Sequence, residues 1–167
     1  MDKTQFHSEY EQVSDQLFTF LLRSVGDRDL AADLLQDAAY RAYRSRRQFR
    51  GDSTFKTWIY RIAVNTMKNK WARAKRERNW FEGVRDLDTE SSPTPEELFT
   101  GRESAMELSR VLMLLEEGYR VPFMLKHVDG LSYSEISEVL GIAVSAARVR
   151  VYRARHALRN LLREDMS

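Results

Sequence analysis

The chain has 167 residues, with 27 Lys+Arg against 25 Asp+Glu, three His and no Cys. Without cysteine there are no disulfides, thiolate metal sites or cysteine nucleophiles, and the scattered histidines do not make a metal cluster. The polar start MDKTQFHSEYEQ lacks the apolar run of a signal peptide, and no stretch approaches the ~20 apolar residues of a membrane span; the sequence predicts a cytoplasmic protein without membrane insertion, of a size for one or two small domains.

Phe6, Tyr10, Val13, Leu17 and Leu21 fall on one helical stripe, and Gly26-Asp27 reads as a stop followed by a new start. From Arg28 to about Arg47 a second helix places Leu30, Leu34, Ala38 and Ala42 on a shared face, broadened by Leu35, Ala39 and Tyr43. Asp33, Gln36 and Asp37 stand away from that stripe as solvated polar positions.

The stretch Phe49 to Arg78 organises the first half of the chain. Arg50-Gly51 reads as a tight exposed loop, and Asp52 or Ser53 is placed to accept from the first free amides of a third helix. Phe55, Trp58, Ile59, Ile62 and Thr66 recur at spacings of three and four and form its packing face. The remaining turns carry Lys56, Tyr60, Arg61, Asn65, Lys68, Lys70, Arg73, Lys75, Arg76 and Arg78. A charge run alone is as readily a solvated face as a binding site. Trp58, Tyr60 and Asn65 interleaved with cations tip the balance, because aromatic faces stack on unpaired bases while cations follow the phosphates of a single strand.

The chain then turns acidic, with Glu82, Asp86, Asp88, Glu90, Glu96, Glu97, Glu103 and Glu107 against Arg85 and Arg102. NWFEGVRDLDTESSPT loses periodicity and gathers Gly, Ser and Pro, which predicts a flexible linker. Thr94-Pro95-Glu96-Glu97 is a helix-start signal, and Leu98, Ala105, Leu108, Leu112 and Leu115 are the core positions of the helix it opens. Glu116-Glu117-Gly118 reads as its end. The next helix, from about Tyr119 to His127, tolerates Pro122 if that residue lies in the first turn. Strand-like alternation and Asn-Gly hairpin signals are missing throughout. The prediction is therefore an all-α protein of two small helical domains, residues 1–80 and 95–167, joined by a linker over 81–94.

LSYSEISEVLGIAVSAARVRVYRARHALRNLL has the layout of a helix-turn-helix. Ser132 and Glu135 form a capping box, Ile136, Val139 and Leu140 an inner face, Gly141 a left-handed turn position, and Ser145 a cap for the second helix. Ala147, Val151, Ala154, Leu158 and Leu161 line that helix's packing stripe. Arg148, Val149, Tyr152, Arg153 and His156 are left outside, with arginine suited to two-point pairing with guanine and valine and tyrosine to thymine methyls or sugars. Arg150, Arg155 and Arg159 sit at the flanks, in reach of phosphates.

Two segments, FRGDSTFKTWIYRIAVNTMKNKW and DGLSYSEISEVLGI followed by RVRVYRARHALR, resemble the extracytoplasmic-function sigma factors, small bacterial transcription initiation factors. The resemblance implies that the first domain recognises and melts the minus-ten promoter element and that the second reads the minus-thirty-five element. Phe49, Arg50, Gly51, Asp52 and Ser53 would hold an extruded non-template base, with Asn65 helping to form its pocket, and Trp58, Tyr60, Arg61 and Lys68 would line the strand's path. Unstacking a base costs a few kcal/mol, which a pocket for that base offsets. Ser145, Arg148, Val149, Tyr152 and Arg153 would face the upstream element.

The same resemblance places the segment DLLQDAAYRAY against core RNA polymerase, at the clamp helices of the largest subunit, through Asp33, Leu34, Gln36, Asp37, Tyr40 and Arg41. It also implies contact with the polymerase flap, a linker threading through the enzyme, and sequestration by an anti-sigma protein. Two departures stand out. Ser145-Ala146-Ala147 replaces a common Gly-Thr-Val, and Val149 stands where a small polar residue is frequent, so the preferred bases would differ. The chain begins directly with the first domain and so resembles the minimal two-domain type. No nucleophile-base pair or phosphate-cradling glycine loop is present, and neither catalysis, a cofactor nor a metal is expected. The alternative from the residues alone is a stand-alone helix-turn-helix regulator that binds duplex DNA without polymerase.

Overall fold

Asp2 starts the first helix, its carboxylate accepting the Gln5 amide at 2.8 Å. This helix, α1 (Lys3–Val25), ends where Gly26 adopts φ +70° and donates its N–H to Leu22 O at 2.8 Å. Asp27 immediately caps α2 (Arg28–Ser45), accepting from Leu30 N at 3.0 Å, so the Gly26-Asp27 pair turns the chain as the sequence predicts. A single 3₁₀ turn (Arg46–Gln48) follows, and α3 (Phe55–Arg78) runs for 24 residues, about 36 Å at 1.5 Å per residue.

The computed structural model describes residues 1–78 and 102–165, and it divides into two compact units. In the first, α2 packs against both α1 and α3, and α1 also touches α3. The core holds Leu17, Phe20 and Leu21 from α1, Ala31, Leu34, Ala38 and Ala42 from α2, and Ile59, Tyr60, Ala63, Val64 and Met67 from α3. The three buried alanines of α2 have little side chain to interpose, which brings its neighbours close. None of the described helices is long and apolar enough to cross a membrane. The predicted linker and the Thr94-Pro95 helix start lie outside the described residues.

The second unit is built from α4 (Arg102–Leu112), α5 (Glu117–His127), α7 (Val144–Asp165) and the bulk of α6 (Tyr133–Leu140). α7 is its central rod, packing on α5 and α4 through Ala147, Val151, Ala154 and Leu158, all fully buried. Two sequence expectations are corrected. Glu116 occupies the cap position of α5 rather than ending α4, with Tyr119 and Arg120 amides donating to its carbonyl at 3.0 and 2.9 Å. Pro122 consequently lies inside α5, past the first turn, and its missing N–H removes the donor four residues on that the Gly118 carbonyl would otherwise have. The Arg120 guanidinium, which burial pushes below its ordinary pKa, turns back to donate to Met113 O at 3.3 Å and Leu115 O at 3.1 Å, fastening the turn between α4 and α5. Burial also drives the His127 imidazole down to about 4, with Arg155 and Lys126 adding repulsion, so it packs as a neutral ring against Phe123 at 5.0 Å.

The capping box of α6 is formed: Glu135 N donates to Ser132 Oγ at 3.1 Å and Ser132 N to Glu135 Oε2 at 2.7 Å. The turn that follows is fixed at both ends by one residue. Ser137 O accepts Ile142 N at 3.2 Å, Ser137 Oγ donates to Ile142 O at 2.5 Å, and Gly141 supplies φ +64° between them. Ser132→Ala removes half of the box and is expected to cost about 1 kcal/mol of stability in urea unfolding, with Ser132→Asp close to neutral. Equal losses from both would show that the hydroxyl itself, rather than its capping, matters.

Candidate nucleic-acid interface

The loop between α2 and α3 is exposed at its tip and anchored at its base. Phe49 packs on Trp58 at 5.1 Å and on Phe55 at 6.2 Å between ring centroids, and Phe55 in turn meets Trp58 at 5.7 Å and Phe6 at 5.6 Å. Phe6 continues the chain of rings to Tyr43 at 5.5 Å, over which the Arg46 guanidinium lies at 4.1 Å. Arg46 also donates to Tyr43 O at 2.8 Å. Beyond this base, Arg50, Gly51 and Asp52 are exposed, and Gly51 has φ +78°, a conformation that side chains with a Cβ rarely adopt. The loop closes on Thr54, whose Oγ1 accepts the Thr57 amide at 3.1 Å. The cap is thus Thr54, not Asp52 or Ser53, because the helix begins at Phe55 and leaves those two residues upstream of any capping position.

Along α3, Arg61, Asn65 and Lys68 are exposed and recur at four and three, forming one polar stripe that leads away from the loop. Trp58 is half-buried at its loop end, sharing its ring with Phe49 and Phe55. Tyr60 corrects the sequence reading. It is 0 % exposed, packed on Phe20 at 5.2 Å, and offers no face to a base. The helix is covered by both α1 and α2, so its buried arc extends past the predicted stripe to Tyr60, Ala63, Val64 and Met67, while Ile62 stays half-exposed.

A second surface lies on α2, where Asp33, Gln36, Asp37, Tyr40 and Arg41 are all exposed. Asp37 accepts from Arg41 Nε at 3.0 Å, and Arg44 NH1 donates to Tyr40 Oη at 3.2 Å with its guanidinium 5.9 Å from that ring. Tyr40 is 59 % exposed, an aromatic side chain carried on the surface and steadied by a cation. Leu34 does not belong to this surface. At 2 % exposure it is a core residue, because it falls on the same helical face as Ala31, Ala38 and Ala42.

In the helix-turn-helix, α7 begins at Val144, so Ser145 sits in its first turn and is exposed rather than being its cap. Arg148 and Val149 are exposed, Val149 at 44 %, and Tyr152, Arg153 and His156 are half-buried along the same side. Arg150, Arg155 and Arg159 are also half-buried. The sequence gives no sign of one further contact: Tyr133, on the first turn of α6, has Lys126 Nζ of α5 4.5 Å and the Arg148 guanidinium of α7 5.0 Å from its ring centroid. Three helices meet there, and no spacing along a single helix announces it. The Tyr40–Arg44 pair, by contrast, was open to a search for aromatic–cation pairs four apart.

The chain has relatives among known proteins. Residues 10–77 match the sigma-70 region 2 family and residues 105–158 the sigma-70 region 4 family. The chain is 36% identical over 178 residues to the RNA polymerase sigma-H factor of Pseudomonas aeruginosa, an alignment covering 98% of this chain and 91% of that protein. It is 37% identical over 137 residues to the ECF RNA polymerase sigma-E factor of Escherichia coli, covering 77% of this chain and 71% of the relative. Among solved structures, the sigma factor RpoE of Bartonella quintana, crystallised with the anti-sigma factor NepR, superposes with a TM-score of 0.75 at 25% identity over 95% of this chain and 97% of that one. CnrH, solved in complex with the cytosolic domain of CnrY, shares the fold with a TM-score of 0.70 at 24% identity, over 98% of this chain and 91% of that one.

Proposed function

This chain belongs to the extracytoplasmic-function sigma factors of the sigma-70 family, transcription initiation factors that direct RNA polymerase, and on that premise we propose how its surfaces divide the work. The first unit docks on core polymerase, at the clamp helices of the largest subunit, through Asp33, Gln36, Asp37, Tyr40 and Arg41. It opens the minus-ten element with the Arg50–Ser53 loop and the Arg61, Asn65, Lys68 stripe, while Phe49 and Trp58 form the floor of the loop. The second unit reads the minus-thirty-five element through Ser145, Arg148, Val149, Tyr152 and Arg153 and reaches the polymerase flap. The work is done in the cytoplasm and without chemistry of the chain's own, since bond formation belongs to the polymerase. An anti-sigma protein holds the factor inactive by covering the polymerase-facing or DNA-facing surfaces, a reading supported by the complex of the sigma factor RpoE with the anti-sigma factor NepR.

The observation that carries this reading is the exposed loop on an aromatic base, continuous with a cationic, amide-bearing stripe on the same helix. An extruded base needs a preformed pocket, and a displaced strand needs cations along its path. The test is reconstitution: core polymerase with this protein should yield discrete transcripts from a pool of genomic fragments, and core alone should not. Identical products with and without the protein would refute the assignment. A duplex-DNA gel shift separates the stand-alone regulator, which would bind its site equally well without core.

A finer check addresses the loop. Gly51→Val places a branched side chain at φ +78°, a strain of about 1–2 kcal/mol. The variant should bind core like the wild type but form open complexes about 5–30-fold more slowly on a linear promoter. Normal opening on such a template would remove the loop from the melting step.

A further inference from the structure

Arg148 is exposed on the first turns of α7, where a long cationic side chain samples many rotamers and loses about 2 kcal/mol of rotamer freedom on being fixed. Here it lies 5.0 Å from the centre of the Tyr133 ring, and Lys126 Nζ lies 4.5 Å from the same centre. Arg148, Tyr133 and Lys126 come from α7, α6 and α5, so the register of these helices sets the meeting point. A guanidinium resting on an aromatic ring spends its flat face on that contact and keeps its N–H donors in its edge, the part that pairs with guanine O6 and N7. The contact and the base contact are therefore compatible in one conformation.

We propose that Tyr133 is a specificity-determining positioning residue, whose ring holds Arg148 in the pose with which it discriminates one base pair of the upstream promoter element. Lys126 shares the ring and keeps a second cation beside it. The two charges then lie within about 10 Å of one another, a spacing that favours a polyanion. This rests on the assignment of Arg148 to base reading. What it adds is that discrimination at that position depends on an aromatic ring that itself touches no base edge. The ring is also set apart from its surroundings in the chain. Its neighbours Ser132 and Glu135 form the capping box, which fixes the first turn of α6 from which the ring projects.

The test uses holoenzyme reconstituted from core polymerase and full-length protein, selecting from duplex promoter fragments with a randomised upstream element. Wild type, Arg148→Ala, Tyr133→Phe and Tyr133→Leu are compared by sequencing the bound pools. Arg148→Ala should flatten one base position. Tyr133→Leu should weaken preference at that same position by about three- to tenfold, whereas Tyr133→Phe, which keeps the ring, should stay within about twofold of wild type. The double variant Arg148→Ala/Tyr133→Leu should lose no more discrimination than Arg148→Ala alone.

The slope of log affinity against log salt should not change in Tyr133→Leu, since no phosphate contact is removed. If Arg148→Ala flattens a position and Tyr133→Leu leaves it sharp, the positioning role is overturned while the base-reading assignment stands. If Arg148→Ala flattens nothing, the assignment itself fails and this inference with it. A loss in Tyr133→Phe as large as in Tyr133→Leu, with a reduced salt slope, would make the hydroxyl a direct phosphate ligand and refute the ring's role. Should Tyr133→Leu unfold, Tyr133→Trp serves in its place: it keeps an aromatic face and must retain the preference.

Discussion

Tyr60→Ala is expected to remove about 3–5 kcal/mol from the N-terminal unit, the range for deleting a buried aromatic side chain. Tyr60 is fully buried and packs on Phe20 at 5.2 Å in the three-helix core, so truncation opens a void that α1 and α2 cannot both collapse into. In a unit of this size each kcal/mol lowers the melting temperature by roughly 4–8 °C, enough to leave the variant largely unfolded at growth temperature. The first transition in urea unfolding of the full chain should move accordingly, with Tyr60→Phe affected far less because the ring remains. A Tyr60→Ala protein of normal stability that opens promoters slowly would instead return Tyr60 to the strand path.

Asp37→Arg should leave the fold intact and weaken binding to core polymerase by about 30-fold or more. The Asp37–Arg41 pair has both partners about half exposed, 46% and 54%, so its own worth to stability is under about 1 kcal/mol. At an interface the same reversal acts differently. It turns a face of two carboxylates and one guanidinium, Asp33, Asp37 and Arg41, into one of a single carboxylate and two guanidinium groups, a mismatch on the order of 2 kcal/mol or more once desolvated against a partner that fits the original charges. Competition with fluorescently labelled wild type for core enzyme measures this directly. Asp15→Arg, an equal change of charge at an exposed position of α1, is the control and should compete normally. Equal behaviour of the two variants would move the docking surface elsewhere.

The division into helices and the capping logic were legible because they depend on neighbours in sequence. Gly26-Asp27, the Ser132/Glu135 box and Gly141 all act where their residue types place them. Misreadings arose where tertiary packing or competing local choices decide. Tyr60 combines an apolar ring with a polar tip, and only the presence of helices on two sides of α3 tells which environment it enters. Leu34 lies among exposed polar residues in sequence yet on the alanine face in space. Thr54 shows a different limit: Asp52, Ser53 and Thr54 are good capping residues standing in a row, and the first packed apolar residue, Phe55, selects the register, whereas Ser145 falls inside α7 because that helix already starts at the exposed Val144. The meeting of Lys126, Tyr133 and Arg148 was beyond sequence reasoning altogether, since it is created by the angles among three helices.

The seat of Phe49 against Trp58 carries a practical consequence. One of the chain's three tryptophans lies directly beneath the exposed loop, its indole in contact with the ring that anchors the loop's entry. Arrival of a nucleobase at the tip would alter the polarity around that indole, giving the protein a built-in optical reporter of strand capture that requires no attached dye.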